Sequence, residues 1–201
     1  MTVRHALDIV QIEGLIDRKR GRAGGTFVRA TPPALSLTSG RSALDQLREH
    51  GLDVEVRVLS LTFIDAPGHL ASTFDIEEGD SVWECRTVQV SAGSPIMAST
   101  LLIPQALAPS LTEEDVQKPL TELLTDLGLA PVFKRDSLVA ATARTEEQKA
   151  LAVGRNQPVL RITRTIKAEG GVVAAQLEET LRPDAATVEV VIGEDPTPTL
   201  D

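Results

Sequence analysis

A chain of 201 residues with 42% hydrophobic content can bury one sizeable core and carry a small appendage. Its net charge of −9 is unevenly spread: residues 1–30 hold six basic and three acidic side chains, net +3, leaving −12 on the remainder. The single cysteine, Cys85, excludes an intramolecular disulfide and a cysteine-built zinc site, and a buried structural thiol is its expected role.

In chain order, Val3, Leu7 and Val10 fall at i, i+4 and i+7 with Ala6 alongside, which predicts one apolar helix face. Arg4, His5, Asp8 and Gln11 take the other side. Gly14 supplies a left-handed stop with hydrophobic Leu15 behind it. Leu15-Ile16 and Phe27-Val28 then predict two short strands around a Gly-rich basic hairpin loop, Asp17 to Gly25. A helix followed by a basic hairpin is a geometry for groove and phosphate contact on DNA. A basic tip on an acidic body suits a DNA reader with a separate sensing domain, and the acidic body should itself repel nucleic acid.

Residues 31–40, with Pro32 and Pro33, small polar residues and no charge, predict a linker. Beyond it, Arg41–Gly51 predicts a short helix and Val54 into the sixties an alternating strand. Asp65–Ala71 predicts a short helix with Pro67 near its start, and Glu77–Asp80 a turn. Strands over Ser81–Ser91 and Ile96–Ile103 meet at a hairpin, Ala92 to Pro95. Glu113–Leu127 predicts a helix ended by Gly128, Pro131–Ala141 a strand, and Thr145–Leu151 a helix with a capping-box-like start at Thr145. Pro158–Lys167 and Val172–Leu181 pair across Glu169-Gly170-Gly171, and Thr187–Ile192 is a last strand. Hairpins with helices inserted between them make an α+β domain. The expected organisation is a DNA-contacting segment 1–30, linker 31–40, sensor domain 41–195 and tail 196–201.

The first segment resembles the winged-helix signature of the GntR superfamily. The matching blocks are Thr2-Val-Arg-x-Ala-Leu, Glu13-Gly-Leu-Ile, Arg20-Gly and Gly25-Thr-Phe-Val, in order and at the right spacing. The resemblance implies operator contacts from Thr2, Arg4, His5, Arg20, Gly21, Arg22, Gly24 and Thr26, with a wing at 22–25 longer than the usual tight turn. It also places a strand, two helices and a Ser-Arg pair ahead of these blocks, so the segment reads as a remnant of a winged helix-turn-helix, a helix plus β-hairpin wing. A recognition helix without those partners cannot bury its apolar face locally, so weak operator binding is expected of these 201 residues alone.

The remainder resembles the effector-sensing UTRA domain of HutC-like GntR regulators, over roughly residues 40–193. The shared blocks include Ile76-x-x-Gly-Asp80, Gly93-Ser-Pro-Ile96, Ile103-Pro104, Pro158-Val-Leu-x-Ile162 and Leu181-Arg-Pro-Asp184. The likeness implies a chorismate-lyase-like antiparallel sheet with helices around a small-molecule site. It also implies a cytoplasmic homodimer, with the effector setting operator affinity, most often as a repressor.

In that family anionic effectors meet an Arg-x-Arg pair on the strand before the hairpin, which falls here at Arg86-Thr-Val88, so one arginine of the clamp is replaced. The following strand's carboxylate position falls at Ser99, and a later Glu position at Ala175 with Gln176, Glu178 and Glu179 nearby. Arg86, Ser99, Arg135, Ser137 and Glu178 are the candidate effector residues, each otherwise an ordinary solvent-facing strand residue. The effector class stays open, toward a metabolite less anionic than a phosphosugar. His5, His50 and His69 are scattered without a ligand set, so no metal is expected, and neither a P-loop nor another cofactor motif is present. No catalytic constellation stands out. A stand-alone ligand-binding protein and a chorismate-lyase-like enzyme are the alternative readings.

Overall fold

A computed structural model describes residues 3–12, 16–19, 24–28, 32–39 and 41–192, and the chain divides into two units, 1–33 and 34–201. In the first, helix α1 (Val3–Ile12) precedes strands β1 (Ile16–Lys19) and β2 (Gly25–Val28). The strands pair antiparallel from Ile16 opposite Val28 to Lys19 opposite Gly25, so pairing runs further toward the turn than Leu15-Ile16 and Phe27-Val28 alone predict. Val3 is 77% exposed and Leu7 half-buried; among the described residues nothing covers the first turn of the expected apolar face.

The second unit begins inside the expected linker. Strand β3 (Ala34–Ser36) pairs in parallel with β10 (Thr187–Glu189), burying Leu35. Helix α2 (Ala43–Glu49) starts where the Ser42 hydroxyl accepts the Asp45 amide at 3.1 Å. The buried Gln46 side chain accepts the Ser36 amide at 2.7 Å and donates to the Ser36 carbonyl at 3.1 Å, which ties α2 to β3.

The main sheet is antiparallel, in the order β4-β5-β6-β9-β8-β7. Its strands are β4 (Val54–Asp65), β5 (Ser81–Ser91), β6 (Ser94–Pro104), β7 (Phe133–Thr142), β8 (Pro158–Lys167) and β9 (Val173–Leu181). Two three-stranded meanders thus join through β6 and β9, with Leu101 opposite Leu177 at the seam. Ala92 and Gly93 both take positive φ, 49° and 75°, as a two-residue hairpin turn between β5 and β6 demands.

Two helical expectations change. The segment Glu113–Leu127 is not one helix: a 3-10 turn (Asp115–Gln117) and helix α4 (Leu120–Asp126) flank Lys118-Pro119. Proline disfavours helical backbone at the residue before it and lacks the N–H that a continuous helix would use. Helix α5 (Thr145–Leu151) is entered one residue earlier than Thr145 suggests, from Arg144, whose amide donates to the Glu147 carboxylate at 2.6 Å.

Directly opposed residues in a sheet point to the same face. On one face Cys85, Leu101 and Leu177 join Val116, Leu123 and Leu124 in the largest core cluster, under the 3-10 turn and α4. On the other, α3 (Gly68–Phe74) packs Leu70 and Phe74 with Val82, and α5 packs Leu151 with Val159.

Candidate functional site

Thr87 lies opposite Ser99, and Ser99 opposite Glu179, so these three share the face beneath α4. Arg86, one residue earlier, opposes Thr100, which opposes Glu178, and these three share the α5 face. The sheet therefore separates the expected group: Ser99 stands on one face, Arg86 and Glu178 on the other. Arg135 and Ser137 lie on β7, an edge strand, opposite Thr165 and Thr163. Both are exposed, and neither lines the cavity or the groove described below.

On the Ser99 face, a partly open cavity of about 70 Å³ lies between the sheet and a roof made by the start of α2 and by residues 116–123. A water occupies roughly 10–15 Å³ on that measure, so the space holds roughly five waters, the bulk of a small metabolite. Thr87 and Gln89 from β5, Ser99 from β6, Arg164 from β8 and Glu179 from β9 line it, between apolar walls from Val56, Cys85, Met97 and Leu101. Eight polar or charged residues are buried among those described, and these five are the ones that converge on a single space. The other three lock helices: Gln46 holds α2, while Glu147 and Thr180 hold α5.

The hydrogen bonding of this cavity is unbalanced. Gln89 and Ser99 bond each other at 3.3 Å. Arg164 grips Asp136 through Nε at 2.7 Å and Nη2 at 3.3 Å. Its Nη1 lies 3.4 Å from Glu179 Oε2, close enough for charge attraction, yet that oxygen accepts no hydrogen bond. Burial pushes the Glu179 carboxyl above its ordinary value and the Asp136 charge pushes the same way, while Arg164 and Lys134 pull against them. Cys85, at the wall, is pushed up to about 12 by burial and by the Glu113 charge, which makes it a poor nucleophile.

The α5 face carries an open groove of about 760 Å³ lined by Arg86, Glu84, Thr100, Arg144 and Glu178. Its charges are already matched: Arg86 meets Glu84 at 3.0 Å and Arg144 meets Glu178 at 2.8 Å. Sequence reasoning picked Arg86 and Glu178 of this groove and Ser99 of the cavity, noted Glu179 only as a neighbour, and passed over Thr87, Gln89 and Arg164. The signal that finds them is strand parity counted from Ser99.

Of the expected DNA contacts, His5 on α1, Gly24 and Thr26 are exposed. Arg4 lies in α1, its side chain outside the described residues, as are Thr2, Arg20, Gly21 and Arg22. Among the described residues no group of acidic, histidine and cysteine side chains is placed to hold a metal ion. No helix there is long and apolar enough to cross a membrane.

The UTRA domain model matches residues 49–187, which takes in the six-stranded sheet and the part of the cavity roof from residues 116–123, but not the start of α2. The chain belongs to the UTRA domain family. Solved structures share this UTRA fold. PhnF from Mycobacterium smegmatis superposes with a TM-score of 0.76 at 21% identity, over 96% of this chain and 84% of that one. The effector domain of PhnF alone gives 0.71 at 17%, over 80% of this chain and all of that one. A GntR-family transcriptional regulator from Bacillus cereus gives 0.63 at 16%, covering 70% and 99%. Among these are a transcriptional regulator and an effector domain. No curated protein sequence matches the chain. UTRA membership identifies residues 49–187 as an effector-binding domain of the GntR regulator type.

Proposed function

We propose that this chain is a HutC-like GntR transcriptional regulator, a cytoplasmic homodimeric repressor, whose small-molecule effector binds in the cavity around Ser99. The observation that carries this reading is the convergence of five buried polar side chains on one space, with a Glu179 oxygen left unbonded. Buried polar atoms are almost always satisfied, so a lone unsatisfied one facing a cavity marks a place for a ligand. Such a site binds without reacting, since no nucleophile stands beside a base within it.

A route to the operator-contacting segment runs along the chain. Ser42 and Ala43 line the cavity, α2 follows them directly, and Gln46 of α2 holds Ser36 in β3, three residues after the first unit ends. An effector that moves the start of α2 thereby biases where β3 delivers residues 1–33. In this reading Thr2, Arg4, His5, Arg20, Gly21, Arg22, Gly24 and Thr26 meet the operator as helix and wing.

Thermal-shift screening against a metabolite panel tests the cavity. A true effector raises the melting temperature of the wild type, and Ser99→Leu, which fills the space, removes the shift while Arg86→Ala keeps it. A hit lost in Arg86→Ala and kept in Ser99→Leu would move the effector to the α5-face groove and overturn the assignment. The same hit should change retention of operator DNA in a gel shift.

A further inference from the structure

The cavity has a definite chemical bias. Glu179 is 5% exposed as a residue, and its Oε2 is buried without a hydrogen bond. Its one cationic neighbour on the sheet, Arg164, is turned to Asp136 by two hydrogen bonds. Lys134, the next cation along, donates to the Leu37 and Ser39 carbonyls at 3.0 and 3.3 Å. Lys118 in the roof is held by Asp115 at 3.3 Å and Asp126 at 3.0 Å. Lys134 and Lys118 are thus engaged elsewhere, and Arg164 faces Glu179 Oε2 from 3.4 Å but gives its hydrogen bonds to Asp136, so the group left without a hydrogen bond is an acceptor. Thr87, Gln89 and Ser99, on the strands before and after the hairpin, are uncharged and form no anion clamp.

We propose that the effector carries a cationic nitrogen group, an amine or amidine, which donates to the Glu179 carboxylate while its polar remainder meets Gln89 and Ser99. This rests on the reading of the cavity as the effector site. A donor at Oε2 replaces the missing hydrogen bond, and a positive one also offsets the buried negative charge. An anionic effector that reached the free Nη1 of Arg164 would have to sit against the Glu179 carboxylate, 3.4 Å from that nitrogen, and be repelled by it.

The test uses the full chain, labelled with ¹⁵N, and small probes of each charge: acetamidinium, ethylammonium, acetate and inorganic phosphate. The expected result is saturable shifts of the Gln89 side-chain amide and Ser99 backbone amide with acetamidinium or ethylammonium, and none with acetate or phosphate. Glu179→Gln keeps the carboxamide in place of the carboxylate and should weaken cation binding at least about tenfold. Affinity for the cations should also rise with pH, since binding needs the ionised carboxylate. Arg164, Asp136, Lys134 and Lys118 face the same region; burial pulls Lys134 below its ordinary value, while carboxylate partners hold Arg164 and Lys118 above theirs. Saturation by acetate or phosphate, with the cations silent, overturns the cationic assignment and leaves the cavity as the site. Probes that shift only Arg86, Thr100 and Glu178 overturn the cavity itself, and the inference with it. Cation shifts unchanged in Glu179→Gln overturn the role of Glu179.

Discussion

Glu147 and Glu179 are buried glutamates on opposite faces of the sheet, and their environments drive them in opposite directions. Burial alone would raise Glu147, but the Arg144 amide, the Thr180 hydroxyl and the Arg161 guanidinium outweigh it and hold the carboxyl below its ordinary 4.5. Arg161 reaches it through Nε at 3.0 Å and Nη2 at 2.8 Å. A depressed folded value means stability that is present above pH 4.5 and is lost as pH falls through that lower value. Glu147→Gln should therefore cost about 2 kcal/mol at pH 7, read from urea unfolding, with the gap to wild type closing in acid. An unchanged midpoint at pH 7 would show that the helix is held otherwise. For Glu179 the sign reverses. A raised folded value favours the unfolded chain once pH climbs past 4.5, so Glu179→Gln should melt higher than wild type at pH 7 and level with it near pH 4. A variant that gains stability while losing a ligand separates a binding role from a structural one. Cys85 gives a third check at this scale. With its thiol pushed up to about 12 and 1% exposed, its reaction with a disulfide reagent at pH 8 should be on the order of 1,000-fold slower than in denaturant.

Elements were more legible than their facing. Alternation over Val54–Leu61, Ser81–Ser91 and Pro158–Lys167, with Gly93 and Gly170-Gly171 between hairpin strands, carries the meanders plainly in the sequence. The break at Pro119 was missed in reading Glu113–Leu127 as one helix, although proline stops a helix whatever the flanking periodicity. Facing was harder, because a one-residue error in a period-two pattern inverts every assignment. Arg86 and Glu178 drew notice as charged residues, whereas Thr87 and Glu179 beside them point into the cavity. Burial is the missing variable: sequence shows a glutamate, but only the roof from 116–123 makes one of them dry. Strand β3 was hidden for a related reason. Three residues after two prolines carry almost no periodic signal, and their partner β10 lies some 150 residues later in the chain. The β5–β6 turn offers a test at this scale. Gly93→Val forces a β-branched residue to φ 75° with no clash to relieve, so the cost is backbone alone, about 1–2 kcal/mol. Because this turn sets the register of Thr87 against Ser99, the variant should also weaken effector binding; full stability would mean the hairpin is fixed from elsewhere.

Two units lie on one chain, a basic first unit and an acidic second one, which suits the proposed split between a DNA reader and a sensor. The sensor holds every buried polar group described above, the main core cluster and both ends of its sheet, so its stability should not depend on residues 1–33. Residues 34–201 expressed alone should then unfold within a few degrees of the whole chain and bind the same effector with the same affinity. Trp83, the single tryptophan, offers the optical readout. Its indole N–H donates to Ala108 at 2.8 Å, its ring lies 3.7 Å from that of Phe63, and it shares the cavity's sheet face two residues from Cys85. Effector binding should change its emission equally in the long and the short form of the chain. DNA retention should respond to effector only when residues 1–33 are attached, because the α2–β3 tie has nothing to move without them. An effector affinity that falls more than about tenfold on removing 1–33 would mean that the two units share the binding energy, and the sensor could no longer be treated as self-sufficient.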